Sequence, residues 1–141
     1  MNHVKEKCQM EPSLRMLNTY MQLAITVSNL SRCTRAQVGA IIVKDKNIIS
    51  YGYNGTPAGF CNDCEDEQGV TKKEVIHAEC NAILKAGVNA KDSDLFLTLS
   101  PCFECCKLIK QAGIKHVYFL KMYRDLSGLT ALQIPFTMLS I

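Results

Sequence analysis

Short apolar runs and stretches of helical period alternate along this chain, and their order leaves few ways to fold it. Within Ser13 to Leu30, apolar residues recur at Leu14, Leu17, Met21, Ala24 and Val27, a helical period. Val38 to Val43 is a β-branched apolar run and Ile48 to Tyr53 a second. The polar Lys44-Asp45-Lys46-Asn47 between them predicts a hairpin. A turn-rich stretch, Asn54 to Gly59, and a polar acidic loop to Lys73 follow. His77 to Ala86 predicts a helix closed by Gly87. Leu95 to Leu99 predicts a strand, and Ser100-Pro101 the cap and first turn of a helix ending at Gly113. Val117 to Leu120 reads as a fourth strand, followed by a short helix after Asp125 and a last strand over Phe136 to Ile141. The order α-β-β-α-β-α-β-α-β predicts an α/β/α sandwich in three layers on a mixed five-stranded sheet.

Composition narrows the class of protein. The 141 residues suit a single domain spanning 1–141. Hydrophobic residues at 48% supply a core, and 21% charged residues are too few for a disordered chain. A net charge of +3 without a concentrated basic run points to no nucleic-acid polymer as partner, while it leaves room for a small anion. The apolar stretches are short and interrupted, so no membrane span is expected. Met1 to Met10 carry charges and no apolar h-region, which does not read as a secretory signal. Eight cysteines without such a signal suggest metal binding and free thiols in a reducing cytoplasm.

Two short motifs carry chemistry: His77-Ala78-Glu79 and Pro101-Cys102-Phe103-Glu104-Cys105. Cys102 and Cys105, at i and i+3, share one face of a helical first turn, whose free N–H groups favour thiolates. His77 supplies a third ligand from the start of the preceding helix. Three protein ligands leave one zinc position for water, as in catalytic sites. Zinc can lower the pKa of that water to roughly 7. Glu79, also in a helical first turn, can move a proton from the water to a ring nitrogen and then to a leaving amine. H-x-E…P-C-x-x-C is the signature shared by zinc nucleobase deaminases. Cys80 and Cys106, beside the motifs, are expected to turn into the core.

From Leu17 to Asp125 the chain resembles the deoxycytidylate deaminase family of the cytidine deaminase-like superfamily. The residues that carry the likeness are Ser31 to Ala40, Gly52 to Gly59, His77 to Ile83, and Ser100-Pro101-Cys102 through Gln111 to Lys115. The resemblance implies hydrolysis of deoxycytidylate (dCMP) to dUMP and ammonia, feeding dTMP synthesis, with zinc-bound hydroxide attacking C4 and Glu79 shuttling protons. It also implies substrate contacts from Asn54, Arg35, Tyr123 and Ala78. Each has an ordinary alternative: Asn54 as a turn residue before Gly55, Arg35 as a solvated cation, Tyr123 as a half-buried aromatic. Many relatives are homohexamers activated by dCTP and inhibited by dTTP. Gly52, Tyr53 and Gly55 match their regulatory nucleotide loop, where Mg2+ would accompany the nucleotide. Some phage and bacterial relatives hold a second, structural zinc, for which Cys33, Cys61 and Cys64 are the candidates. The implied location is the cytoplasm, of a host cell if the source is a phage. The rivals are a deaminase of a nucleoside or of a base in RNA, and a zinc-stabilised binding domain, which would not need Glu79.

Overall fold

Ser13 opens the first helix, α1 (Leu14–Ser28), its side chain accepting the Met16 N–H at 3.2 Å. The computed structural model describes residues 12–123 and 125–141. Met1 to Met10, read above as lacking a signal, lie outside the described residues. After α1 come β1 (Gly39–Lys44) and β2 (Asn47–Tyr53), paired antiparallel. Their connection is tighter than the expected four polar residues. Asp45 and Lys46 alone make the turn, with φ of 50° and 65°, the two positive values that a two-residue hairpin of matching twist requires. The strands therefore reach into the polar run at both ends.

A long loop leads to α2 (Ala78–Ala86), which Gly87 closes at φ 58° before a 3-10 turn, Gly87–Ala90. Then follow β3 (Asp94–Leu99), α3 (Phe103–Ala112), β4 (His116–Lys121), α4 (Ser127–Ala131) and the short β5 (Phe136–Met138). Gly113 ends α3 in the left-handed region. The sheet order is β2-β1-β3-β4-β5. β1 is antiparallel to both β2 and β3, whereas β3, β4 and β5 run parallel, each reached across a helix.

The strands alternate between two cores. Ala40, Ile42, Leu95, Leu97, Val117 and Phe119 face α2, α3 and α4; Ile41, Val43 and Phe96 face Tyr20, Met21 and Ala24 of α1. Helices thus cover both faces, the expected three-layer α/β/α sandwich on a mixed five-stranded sheet. Two glycines let the helices lie directly on the hairpin. A Cβ on Gly39 would stand 2.0 Å from the Ala24 carbonyl oxygen in α1, and one on Gly52 2.3 Å from that of Ala78 in α2. Among the described residues no helix is long and apolar enough to cross a membrane.

Candidate metal centre and active site

The helices α2 and α3 begin at the same place, and their caps carry two of the candidate metal ligands. His77 is the N-cap of α2, with extended backbone (φ −69°, ψ 154°), and Cys102 is the N-cap of α3 (φ −72°, ψ 168°). Neither side chain caps its own helix, so both are available to a metal. This differs from the sequence expectation, which put Ser100 at the cap and Cys102 inside the helix. The Ser100 hydroxyl is engaged elsewhere, accepting the Tyr123 N–H at 2.9 Å, while its own N–H donates to the Lys121 carbonyl at 2.8 Å. Ser100 thus extends the β3–β4 pairing, and the helix starts two residues later.

His77 Nδ1 and the sulfurs of Cys102 and Cys105 lie within 4.8 Å of one another. The imidazole nitrogen is 3.1 Å from the Cys105 sulfur and 3.6 Å from that of Cys102. Bonds of ~2.3 Å to sulfur and ~2.0–2.1 Å to nitrogen, arranged tetrahedrally, place N and S roughly 3.6 Å apart. The electrostatics also call for a cation. Hydrogen bonds from Cys105 and then His77 hold the Cys102 thiol down at about 3. Cys102 and Cys80 push the Cys105 thiol far up. The His77 imidazole rises to about 9, chiefly through its bond to Cys102. Two adjacent thiolates repel, so only one ionises by itself; a divalent ion would let both serve. The donor set fits zinc.

Glu79 sits one residue into α2, only 4% exposed, with its Oε1 3.9 Å from His77 Nδ1. Burial raises its pKa, with the His77 charge opposing. The extended backbone of the cap residue lets His77 and Glu79 face one cavity although they are two residues apart. That cavity measures about 610 Å3 and is lined by two of the three candidate ligands, His77 and Cys102, by Ala78 and Glu79, and by Arg35, Asn54 and Tyr123.

The structure therefore brings the residues expected to serve catalysis, metal and substrate to one place. The Asn54 amide already clamps the chain that enters β1: its Oδ1 accepts the Val38 N–H at 2.9 Å and its Nδ2 donates to the Ala36 carbonyl at 2.8 Å. One N–H and one lone pair remain for a ligand. Gly52, Tyr53 and Gly55 do not line the cavity. Gly52 accommodates α2, the Tyr53 carbonyl accepts from Asn81 Nδ2 at 2.9 Å, and Gly55 exchanges backbone bonds with Ile76.

Three cysteine expectations need correction. Cys33, Cys61 and Cys64 do not form a second zinc set here, because Cys33 and Cys64 are joined as a disulfide and oxidised sulfurs offer no thiolate. Cys61 is exposed, its sulfur 3.5 Å from Asp63. The expectation of thiols without disulfides fails at this pair. Cys106 is buried in the core as expected, but Cys80 is half-buried with its sulfur 3.7 Å from that of Cys105, at the metal centre.

Sequence reasoning passed over Glu65. Its Oε1 accepts the backbone N–H groups of Thr34 and Arg35, at 2.8 and 2.9 Å. No local pattern marks it, since those partners lie 31 and 30 residues away.

An α/β/α sheet carrying an open His-Cys-Cys metal centre beside a buried carboxylate defines the zinc-dependent deaminase class. Residues 14–121 match the family model described as the cytidine and deoxycytidylate deaminase zinc-binding region, and the chain belongs to that family. It is 46% identical to the ComE operon protein 2 of Bacillus subtilis over 101 residues, 67% of this chain and 53% of that protein. It is 37% identical to the human deoxycytidylate deaminase over 132 residues, 86% of this chain and 74% of the other. Among solved structures it resembles the dCMP deaminase of cyanophage S-TIM5 in complex with dCMP and dUMP. The TM-score is 0.86 at 40% identity, covering 92% of this chain and all of that one.

Proposed function

We propose that this protein hydrolyses dCMP to dUMP and ammonia, the product then serving dTMP synthesis. The observation that carries the reading is a buried carboxylate, Glu79, beside a three-ligand metal centre at one end of a cavity whose walls include Arg35, Asn54 and Tyr123. The likeness to a cyanophage enzyme solved with dCMP and dUMP supports it. His77, Cys102 and Cys105 would hold zinc, which when bound supplies a Lewis acid that makes water acidic at neutral pH. Glu79 takes a proton from that water and passes it to N3 of the cytosine ring. As the water oxygen bonds to C4, a second transfer carries its remaining proton to the 4-amino group, so that the C4–N bond breaks, ammonia leaves and C4 keeps the oxygen as a carbonyl. The raised Glu79 pKa suits a group that must both accept and release a proton.

Arg35 and Tyr123 are assigned to the 5′-phosphate and Asn54 to the sugar or phosphate, with Ala78 as a further substrate contact. Phosphate binding far from C4 can align the base for reaction, so its loss should lower turnover as well as affinity. The deciding experiment compares kcat/KM for dCMP and deoxycytidine. A charge-assisted contact is worth about 1.5–3 kcal/mol, so two predict on the order of a hundredfold or more in favour of dCMP. Equal values would make the protein a nucleoside deaminase.

The family likeness also supports a homohexamer regulated by dCTP and dTTP with Mg2+. Light scattering with and without each nucleotide tests it; a monomer unaffected by either would dismiss it. The family likeness supports a cytoplasmic site of action, whereas the Cys33–Cys64 disulfide is of a kind that a reducing compartment rarely keeps.

A further inference from the structure

The loop between Cys64 and Lys72 is a built object that the reaction, as derived above, does not use. It is a small hairpin: Lys72 N–H donates to the Cys64 carbonyl at 2.7 Å, and Glu65 and Thr71 pair as an antiparallel bridge. The Asp66 carboxylate accepts the N–H groups of Gln68 and Val70, both at 2.9 Å, and Gly69 at φ 76° completes the tip. The Cys33–Cys64 disulfide fixes its base. A hairpin this thoroughly bonded to itself aims one side chain, Glu65, away from its own turn and onto Thr34 and Arg35.

Glu65 lines the same cavity as Arg35. A carboxylate at the end of a pocket assigned to a phosphate would repel the ligand if its charge were unengaged. Here Oε1 accepts two consecutive backbone N–H groups, those of Thr34 and Arg35, and the Arg35 charge adds to their effect. These N–H groups, Arg35's foremost, hold the carboxyl below its usual range, so it stays ionised and bound to the backbone at neutral pH. Arg35, which lines the cavity, thus stands on a backbone held at both flanks: by Glu65 at Thr34 and Arg35, and by the Asn54 amide at Ala36 and Val38.

We infer that Glu65 is a positioning residue for the substrate phosphate, acting by clamping the Thr34–Arg35 backbone so that Arg35 is presented to the cavity. The inference rests on the nucleotide reading above. It makes the hairpin a determinant of specificity for a phosphorylated substrate, reached through backbone geometry and not through contact with the ligand.

The test measures kcat and KM for dCMP and for deoxycytidine in the parent, Glu65→Ala, Glu65→Gln and Glu65→Asp, with zinc content determined for each. Loss of the two hydrogen bonds should lower kcat/KM for dCMP roughly 10–100-fold in Glu65→Ala, through turnover as well as affinity. Deoxycytidine kinetics and zinc content should not change. Glu65→Gln, whose amide oxygen can accept the same two N–H groups, should stay within a few-fold of the parent. Glu65→Asp, too short to reach both, should resemble alanine and decides the question if the alanine chain does not fold. An unchanged kcat/KM for dCMP in the disrupted variants overturns the inference, as does an equal loss on both substrates that glutamine fails to rescue. A parent that treats dCMP and deoxycytidine alike overturns the nucleotide reading and this inference together. A parent that discriminates, with variants that do so equally well, overturns this inference alone.

Discussion

At the scale of single residues, environment divides two kinds of carboxylate in one cavity. Glu79 is buried and its pKa is raised, whereas Glu65 is held low by backbone donors. A raised pKa suits a group that carries a proton; a lowered one suits a fixed anion. Glu79→Gln keeps the shape and removes the proton carrier. It should retain zinc and fold while turnover falls by at least ~10²–10⁴-fold, since general acid–base steps contribute that much. Steady-state kinetics alongside metal analysis reads this; a variant within a few-fold of the parent would show that Glu79 has another role. The motif residues were legible because zinc dictates their types and their helix-start spacing. Cys80 was misplaced because helical phase gives a direction from the helix axis, not what packs there. Its neighbour in space comes from α3.

At the scale of elements, the contact between α2 and β2 sets the depth of the site. Gly52→Ala would force a Cβ to 2.3 Å from the Ala78 carbonyl oxygen and 2.6 Å from the Ala82 nitrogen, both backbone atoms. The helix carrying Glu79 would have to move. Overpacking of this kind costs about 1–3 kcal/mol, and urea unfolding should show a loss of that order together with reduced turnover. Stability equal to the parent's would mean that the helix slides freely. The parallel edge offers a pH test. Burial foremost, then the Lys115 charge, lowers the His116 pKa from 6.5; its Nε2 lies 2.8 Å from the Thr137 Oγ1 across β4 and β5. With the folded pKa below the unfolded one, this group's contribution is complete above about 6.5 and is lost as pH falls through the depressed folded value. Denaturation midpoints at pH 7.5 and 5.5 should differ more for the parent than for His116→Gln; equal slopes would remove His116 from the pH response.

For the whole molecule, zinc would tie two helices that the chain itself separates with β3. Chelation should abolish activity and lower the Tm, and added zinc should restore both. A ligand at a hundredfold excess over its Kd contributes about 2.7 kcal/mol. Calorimetry before and after chelation measures this; an unchanged Tm would mean that packing alone holds the two N-termini together. Acidification should have the same effect, because metal binding needs neutral His77 and ionised Cys102 and Cys105.

What the sequence determined by itself was whatever depends on short range. Helix and strand periods, the Gly87 and Gly113 stops, the order of elements and the ligand types each rest on neighbouring residues, and their geometry is local. Element starts were the weak point, as at Ser100, where a competing partner on the next strand took the hydroxyl that a cap would have used. Tertiary structure alone decided which loops meet. The Cys33–Cys64 disulfide, the Glu65 clamp on Thr34 and Arg35, and the Asn54 clamp on Ala36 and Val38 all join segments distant along the chain. A polar loop has no period to reveal its partners. Its side chains are placed by hydrogen bonds that exist only once the sheet has brought β1, β2 and α2 together.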